Sequence, residues 1–163
     1  MNKILIIDDE LDKQKMLTEY FESKNCCVKI ANCVNEALEV LLTEEKFELL
    51  ILDMHLPENK DSIANMMGGL EIAKFLYINN SDFPYLVFTQ YEEFSTEMDS
   101  NRILESKYYE PAKLSNSFYQ DIKNIAELNA FLSDLSEKYL GAILCCYTDD
   151  YWIKYIDALL RTL

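Results

Sequence analysis

The chain has 163 residues, half of them hydrophobic, and a formal net charge of −14 at pH 7. That length and composition suit one globular domain with its own core, and they exclude a disordered chain. The acidity excludes direct nucleic-acid binding, which needs a basic patch, and it excludes attraction to an anionic membrane surface. No apolar run approaches the length of a membrane span, and Met1-Asn2-Lys3 leads into a run too short for a secretory signal, so a cytoplasmic location is expected. The five cysteines include the adjacent pairs Cys26-Cys27 and Cys145-Cys146. Neighbours on a strand point to opposite faces, so these are read as reduced, buried thiols and not as a disulfide or metal framework.

In chain order, Lys3–Ile7 reads as a buried strand that runs into Asp8-Asp9-Glu10. Met16, Leu17, Tyr20 and Phe21 then lie at helical spacing, with Asp12, Lys13, Lys15, Glu19 and Glu22 assigned to the opposite, solvent face. Cys27–Ile30 is a short second strand. Asn32 is the expected N-cap of a helix striped by Val34, Ala37, Leu38, Leu41 and Leu42. Leu49–Leu52 is a third strand; it ends on Asp53, and Pro57 stops regular structure soon after. Strand and helix alternate, which predicts a parallel α/β sheet.

A long loop follows, from Glu58 to Met67, before Gly68-Gly69 and a helix from about Leu70 carrying Ile72, Ala73, Phe75 and Leu76. Tyr85–Phe88 is the fourth strand and ends on Thr89. Two placements compete for the fifth. Ile103-Leu104 is one, but its charged neighbours make a poor buried strand. Ala142–Tyr147, introduced by Gly141, is favoured, and the stripe Trp152, Tyr155, Ile156, Leu159 and Leu160 forms the closing helix. Glu92–Leu140 is then an enlarged connection holding its own helix, from Phe118 through Leu128 to Tyr139. It also holds an irregular segment with Lys107, Tyr108, Tyr109 and Lys113.

Three strand ends thus deliver the carboxylates of Asp8, Asp9 and Asp53 and the hydroxyl of Thr89. In open α/β sheets that edge binds ligands. Clustered carboxylates suit a hard divalent cation such as Mg²⁺, and one carboxylate beside it can serve as a nucleophile toward phosphorus.

On Ile6-Ile7-Asp8-Asp9-Glu10, Leu52-Asp53-Met54-His55-Leu56-Pro57 and Thr89, the chain resembles the receiver domain of two-component response regulators. The resemblance implies a flavodoxin-like parallel five-stranded sheet in the order 2-1-3-4-5 with helices on both faces. It implies Asp53 as phosphoacceptor, and Mg²⁺ held by Asp8, Asp9, Asp53 and the backbone carbonyl of His55. Thr89 would bond a phosphoryl oxygen. The family's phosphate-binding lysine on the fifth strand would be Lys107 or Lys113 under the first placement. Under the favoured one Thr148 takes its position, and Lys107 or Lys113 would have to be brought in from the connection.

The resulting expectation is a non-enzymatic signalling protein, residues 1–163 forming one domain with an insertion at about 92–140 and no effector domain. Its partners would be a sensor histidine kinase or phosphotransfer protein and a downstream protein at the 92–140 face, with no nucleic acid and no membrane. Two other readings stay open: a receiver-like interaction module that no longer uses phosphate, and, more weakly, a Mg²⁺-dependent phosphohydrolase. The latter's Asp-x-Asp spacing on the first strand is lacking.

Overall fold

The structure is a computed structural model and describes residues 2–43, 46–94 and 122–163. Five strands form one sheet: β1 (Lys3–Ile7), β2 (Cys27–Ala31), β3 (Leu49–Leu52), β4 (Tyr85–Thr89) and β5 (Tyr139–Leu144). Their order is β2-β1-β3-β4-β5, and every neighbouring pair is parallel. Among the described residues the helices are α1 (Leu11–Ser23), α2 (Val34–Leu42), α3 (Gly68–Ile78), α4 (Ile125–Leu135) and α5 (Tyr151–Leu160). This is the expected doubly wound fold in the expected order.

Strand periodicity splits the core in two. Leu5, Ile7, Leu50, Leu52, Tyr85 and Val87 face α2, α3 and α4. Ile4, Ile6, Leu49, Ile51, Leu86 and Phe88 face α1 and α5. The central strands are buried on both faces, which is why they read as continuous apolar runs. On the α1–α5 side the Trp152 ring packs edge-on against Tyr20 and Phe88, at 5.3 and 5.7 Å between centroids. The Tyr20 hydroxyl donates to Asp157, and Lys24 pairs with the same carboxylate, so α1 and α5 are tied at their ends.

Several sequence expectations are corrected. The fifth strand is Tyr139–Leu144, three residues earlier than Ala142–Tyr147. Gly141 does not introduce it. It lies inside it at φ +142°, where β5 has one residue more than β4 between the pairs Tyr85–Tyr139 and Val87–Ala142. The extra residue lets Tyr139 and Ala142 both face the core with α4, where Tyr139 and Tyr85 rings lie 5.5 Å apart. The N-cap of α2 is Cys33, whose Sγ accepts from the Glu36 N–H at 3.5 Å. Asn32 instead donates its backbone N–H to the Glu36 carboxylate at 2.7 Å. All five cysteines are free, but only Cys33 and Cys145 are buried. The Ile103-Leu104 alternative, the Lys107–Lys113 segment and most of the 92–140 connection lie outside the described residues.

The loop after β3 is built, not merely long. Leu56 and Asn65 exchange both backbone hydrogen bonds as an antiparallel bridge, at 3.0 and 2.9 Å. The carbonyls of Pro57 and Glu58 accept the Val34 and Asn35 N–H groups, both at 2.9 Å. The first turn of α2, whose N–H groups have no partner within the helix, is satisfied by this loop.

Candidate functional site at the carboxyl edge of the sheet

Backbone pairing positions the acids. The Asp53 N–H donates to the Ile7 carbonyl at 2.9 Å, and the Asp8 N–H donates to the Ala31 carbonyl at 3.0 Å, so both residues continue their strand ladders by one step. One carboxylate oxygen from each of Asp8, Asp9 and Asp53 lies within 4.8 Å of the others. Asp8 and Asp53 are buried and Asp9 is exposed. The Glu10 N–H donates to Asp8 Oδ1 at 2.8 Å, and Gln14 Nε2 clasps the Asp8 carbonyl and Asn32 Oδ1 at 2.6 and 2.7 Å. The β1–α1 turn is therefore held from both ends.

A further residue joins them, and the sequence reading had placed it in solvent. Lys13, on the first turns of α1, is fully buried. Its Nζ lies 2.7 Å from Asp8 Oδ2 and 2.9 Å from Asp53 Oδ2. Both contacts are buried ion pairs. The signal was present: Lys13 precedes Leu17 by four residues and Tyr20 by seven, so it occupies the buried stripe of α1. Its charge led to the opposite assignment.

The electrostatics follow from burial. Burial, reinforced by Asp53, pushes the Asp8 carboxyl up to about 7 against the pull of Lys13. Burial also raises Asp53, again opposed by Lys13. For Lys13 burial acts downward, but Asp53 and Asp8 together hold the ammonium above its ordinary range. One ammonium does not balance three carboxylates. Asp53 Oδ1 is buried and has no hydrogen-bond partner among the described residues. A hard divalent cation fits this donor set, since it relieves the repulsion and supplies partners for carboxylate oxygens.

Thr89 ends β4 beside this edge and is fully buried; its Oγ1 accepts from the Tyr91 N–H at 3.3 Å. His55 is half-buried, with its ring 5.0 Å from that of Tyr91. Thr148 does not enter the site: it is exposed and its hydroxyl meets the Cys146 sulfur at 3.0 Å. On β5 the register partner of Thr89 is Leu144, and the next residue, Cys145, donates its N–H to the Thr89 carbonyl at 2.7 Å. Lys113 and Lys107 lie outside the described residues.

Comparison with known proteins agrees with this geometry. The profile of the response regulator receiver domain matches residues 4–106, well over half of the chain, and the chain belongs to that family. Response regulator SaeR of Staphylococcus epidermidis is 30% identical over 89 residues, which cover 55% of this chain and 34% of SaeR. The chain thus spans about a third of the length of that relative. The Detocs response regulatory protein DtcB of Enterobacter cloacae is 25% identical over 112 residues, covering 63% of this chain and 75% of DtcB.

Two solved structures share the fold at 18% identity. The receiver domain of Francisella response regulator 1452 has a TM-score of 0.58, with 100% of each chain covered. Response regulator TrrA of Thermotoga maritima, in complex with Mg²⁺-BeF, has a TM-score of 0.57, with 98% of this chain and 99% of that chain covered. The chain is therefore a response regulator receiver domain. Among the described residues no helix is long and apolar enough to cross a membrane.

Proposed function

We propose that this receiver accepts a phosphoryl group on Asp53, with Mg²⁺ held by Asp8, Asp9 and Asp53, and signals through protein–protein contact. The observation that carries the reading is Asp53 Oδ1: a buried carboxylate oxygen with no hydrogen-bond partner among the described residues, at a strand end, beside two more carboxylates. Bound Mg²⁺ would supply positive charge for the phosphoryl oxygens. The chain's own residues do the rest. Asp53 Oδ1 attacks phosphorus, forming the O–P bond as the donor's P–N or P–O bond breaks and the leaving group departs with its electron pair. Thr89 stands at the adjacent strand end to donate to a phosphoryl oxygen, and the His55 carbonyl is the expected additional metal ligand.

The donor chemistry is a phosphohistidine, on a sensor histidine kinase or a phosphotransfer protein. The output is a protein partner, for which the connection between β4 and β5 is the proposed surface. An acidic chain of this kind is unsuited to nucleic acid, and a cytoplasmic location fits both partners.

Intact-mass analysis after incubation with Mg²⁺ and acetyl phosphate tests the reading. One base-labile phosphoryl group is expected on the wild type and none on Asp53→Asn. An unmodified wild type, under conditions that modify another receiver, removes it. A second reading, an interaction module independent of phosphate, draws on Cys145. It donates its backbone N–H to the Thr89 carbonyl at the β5 end, where the family resemblance implies a lysine.

A further inference from the structure

We propose that Lys13 is the phosphoryl-binding cation of this site, delivered from helix α1 and replacing the charge that strand β5 does not provide. The inference deepens the reading of Asp53 as phosphoacceptor and rests on it.

The position of Lys13 is the first argument. It lies on the stripe of α1 that continues through Leu17, Tyr20 and Phe21, all buried against the sheet. An apolar side chain would suit the stripe itself but would leave two buried carboxylates without a counter-charge. A buried ammonium loses its hydration, and only close, well-placed opposite charge offsets that loss. Lys13 has such partners at 2.7 and 2.9 Å, and they are the two buried carboxylates of the site. Surface charge does not explain it, because the side chain is fully buried.

The second argument is the fifth strand. Cys145 is bound to Thr89 through its backbone and is buried, and the residues after it, Cys146, Tyr147 and Thr148, are exposed. None of the four is a cation. Burial pushes the Cys145 thiol up to about 11, so the residue stays neutral, while it lies near enough to Lys13 and Asp8 to feel both charges. The Tyr147 hydroxyl donates to Glu10 and ties the loop after β5 to the turn that precedes Lys13. The β5 end is thus closed against the α1 turn, and the ammonium between the acids comes from α1.

The third argument is chemical. An ammonium has three N–H donors and no acceptor. When Asp53 becomes an acyl phosphate, its carboxylate charge is replaced by a phosphoryl group of larger charge. Lys13 can then exchange its contact with Asp53 Oδ2 for one to a phosphoryl oxygen, without gaining or losing a proton. Before transfer the same ammonium opposes a divalent cation for the same carboxylates, so its removal should act oppositely on metal and on phosphate.

The test uses Lys13→Met, with Lys13→Gln as a second neutral variant should the first not unfold cooperatively, and the double variant Lys13→Met/Cys145→Lys. Mg²⁺ affinity is read by calorimetry, and Asp53 phosphate by intact mass at fixed acetyl phosphate and Mg²⁺. The neutral variants are expected to bind Mg²⁺ about tenfold more tightly than wild type, and to accumulate at least about tenfold less phosphate. The double variant, which returns an ammonium from β5, should recover most of the phosphate and lose the gain in metal affinity. Phosphorylation and metal affinity both unchanged in the neutral variants overturn the role of Lys13 while leaving Asp53 as acceptor. A phosphate loss that Cys145→Lys does not repair also overturns it, reducing Lys13 to a structural residue. A wild type that takes up no phosphate overturns this inference together with the reading it rests on.

Discussion

Gly69 rests on the backbone of Asp53: a Cβ at position 69 would stand 2.1 Å from the Asp53 carbonyl oxygen and 2.9 Å from Met54 Cα. The Gly69 N–H donates to the Met54 carbonyl at 2.9 Å, so the first turn of α3 is seated directly on the proposed acceptor residue. Real Cβ atoms do not approach backbone so closely, and neither partner is a flexible side-chain tip. Gly69→Ala must therefore displace α3 or Asp53. The expected result is a stability loss of about 2–3 kcal/mol in urea unfolding, the scale of overpacking in a close-packed interior. It should come with a marked fall in Asp53 phosphorylation. A variant with wild-type stability and phosphorylation would mean that the contact relaxes without cost.

The raised carboxyl of Asp8 makes stability and metal binding depend on pH in a stated direction. Its folded value of about 7 lies above the ordinary 3.8, so between these values the folded state holds a proton that the unfolded chain has lost. Stability without Mg²⁺ should fall as pH rises from about 4 to about 7 by this contribution, the opposite of a carboxylate lowered by folding. Asp53 is shifted in the same sense. Other carboxylates act the other way, Glu36 among them, so the comparison of wild type with Asp8→Asn isolates the effect. Thermal unfolding across this range in a chelating buffer is the measurement, and Asp8→Asn should flatten or reverse the slope. Mg²⁺ needs the deprotonated carboxylate, so its affinity should climb with pH and level off above about 7.

Asn65 closes the loop over the site. Its Oδ1 accepts from the Met67 N–H at 2.9 Å, and both residues are buried. Asn65→Ala leaves that N–H without its partner in a region closed to water, a loss of about 1–3 kcal/mol. Because Leu56 and Asn65 also form the backbone bridge of the loop, amide exchange should quicken from Leu56 to Met67 before it does in β3.

Asn124 gives a control remote from the acids. Its Oδ1 accepts from the Glu127 N–H at 3.0 Å as the N-cap of α4, while the Glu127 carboxylate accepts from the Lys123 N–H, one residue before the cap, at 2.6 Å. Asn124→Ala should cost about 1 kcal/mol in unfolding experiments and leave Mg²⁺ affinity unchanged.

The strand order was implied only by the family resemblance, while the alternation of apolar runs and helical stripes by itself determined the parallel sheet and the edge at which Asp8, Asp9, Asp53 and Thr89 emerge. Those features depend on local periods of two and 3.6 residues, which a chain displays without being folded. The strand ends were legible because each buried run breaks abruptly on a polar residue. Lys13 was not legible in the same way. Its spacing from Leu17 and Tyr20 put it on the buried stripe, but its charge argued for water, and only the tertiary structure placed two carboxylates from other strands around the ammonium. Cys145 was missed for a related reason. Which residue of β5 donates to the Thr89 carbonyl depends on the one-residue bulge at Gly141, and register across parallel strands is set by packing between elements far apart in sequence. The acids of the site can be read from the chain. The ammonium that pairs with two of them belongs to the fold, because a buried charge is defined by the partners that surround it.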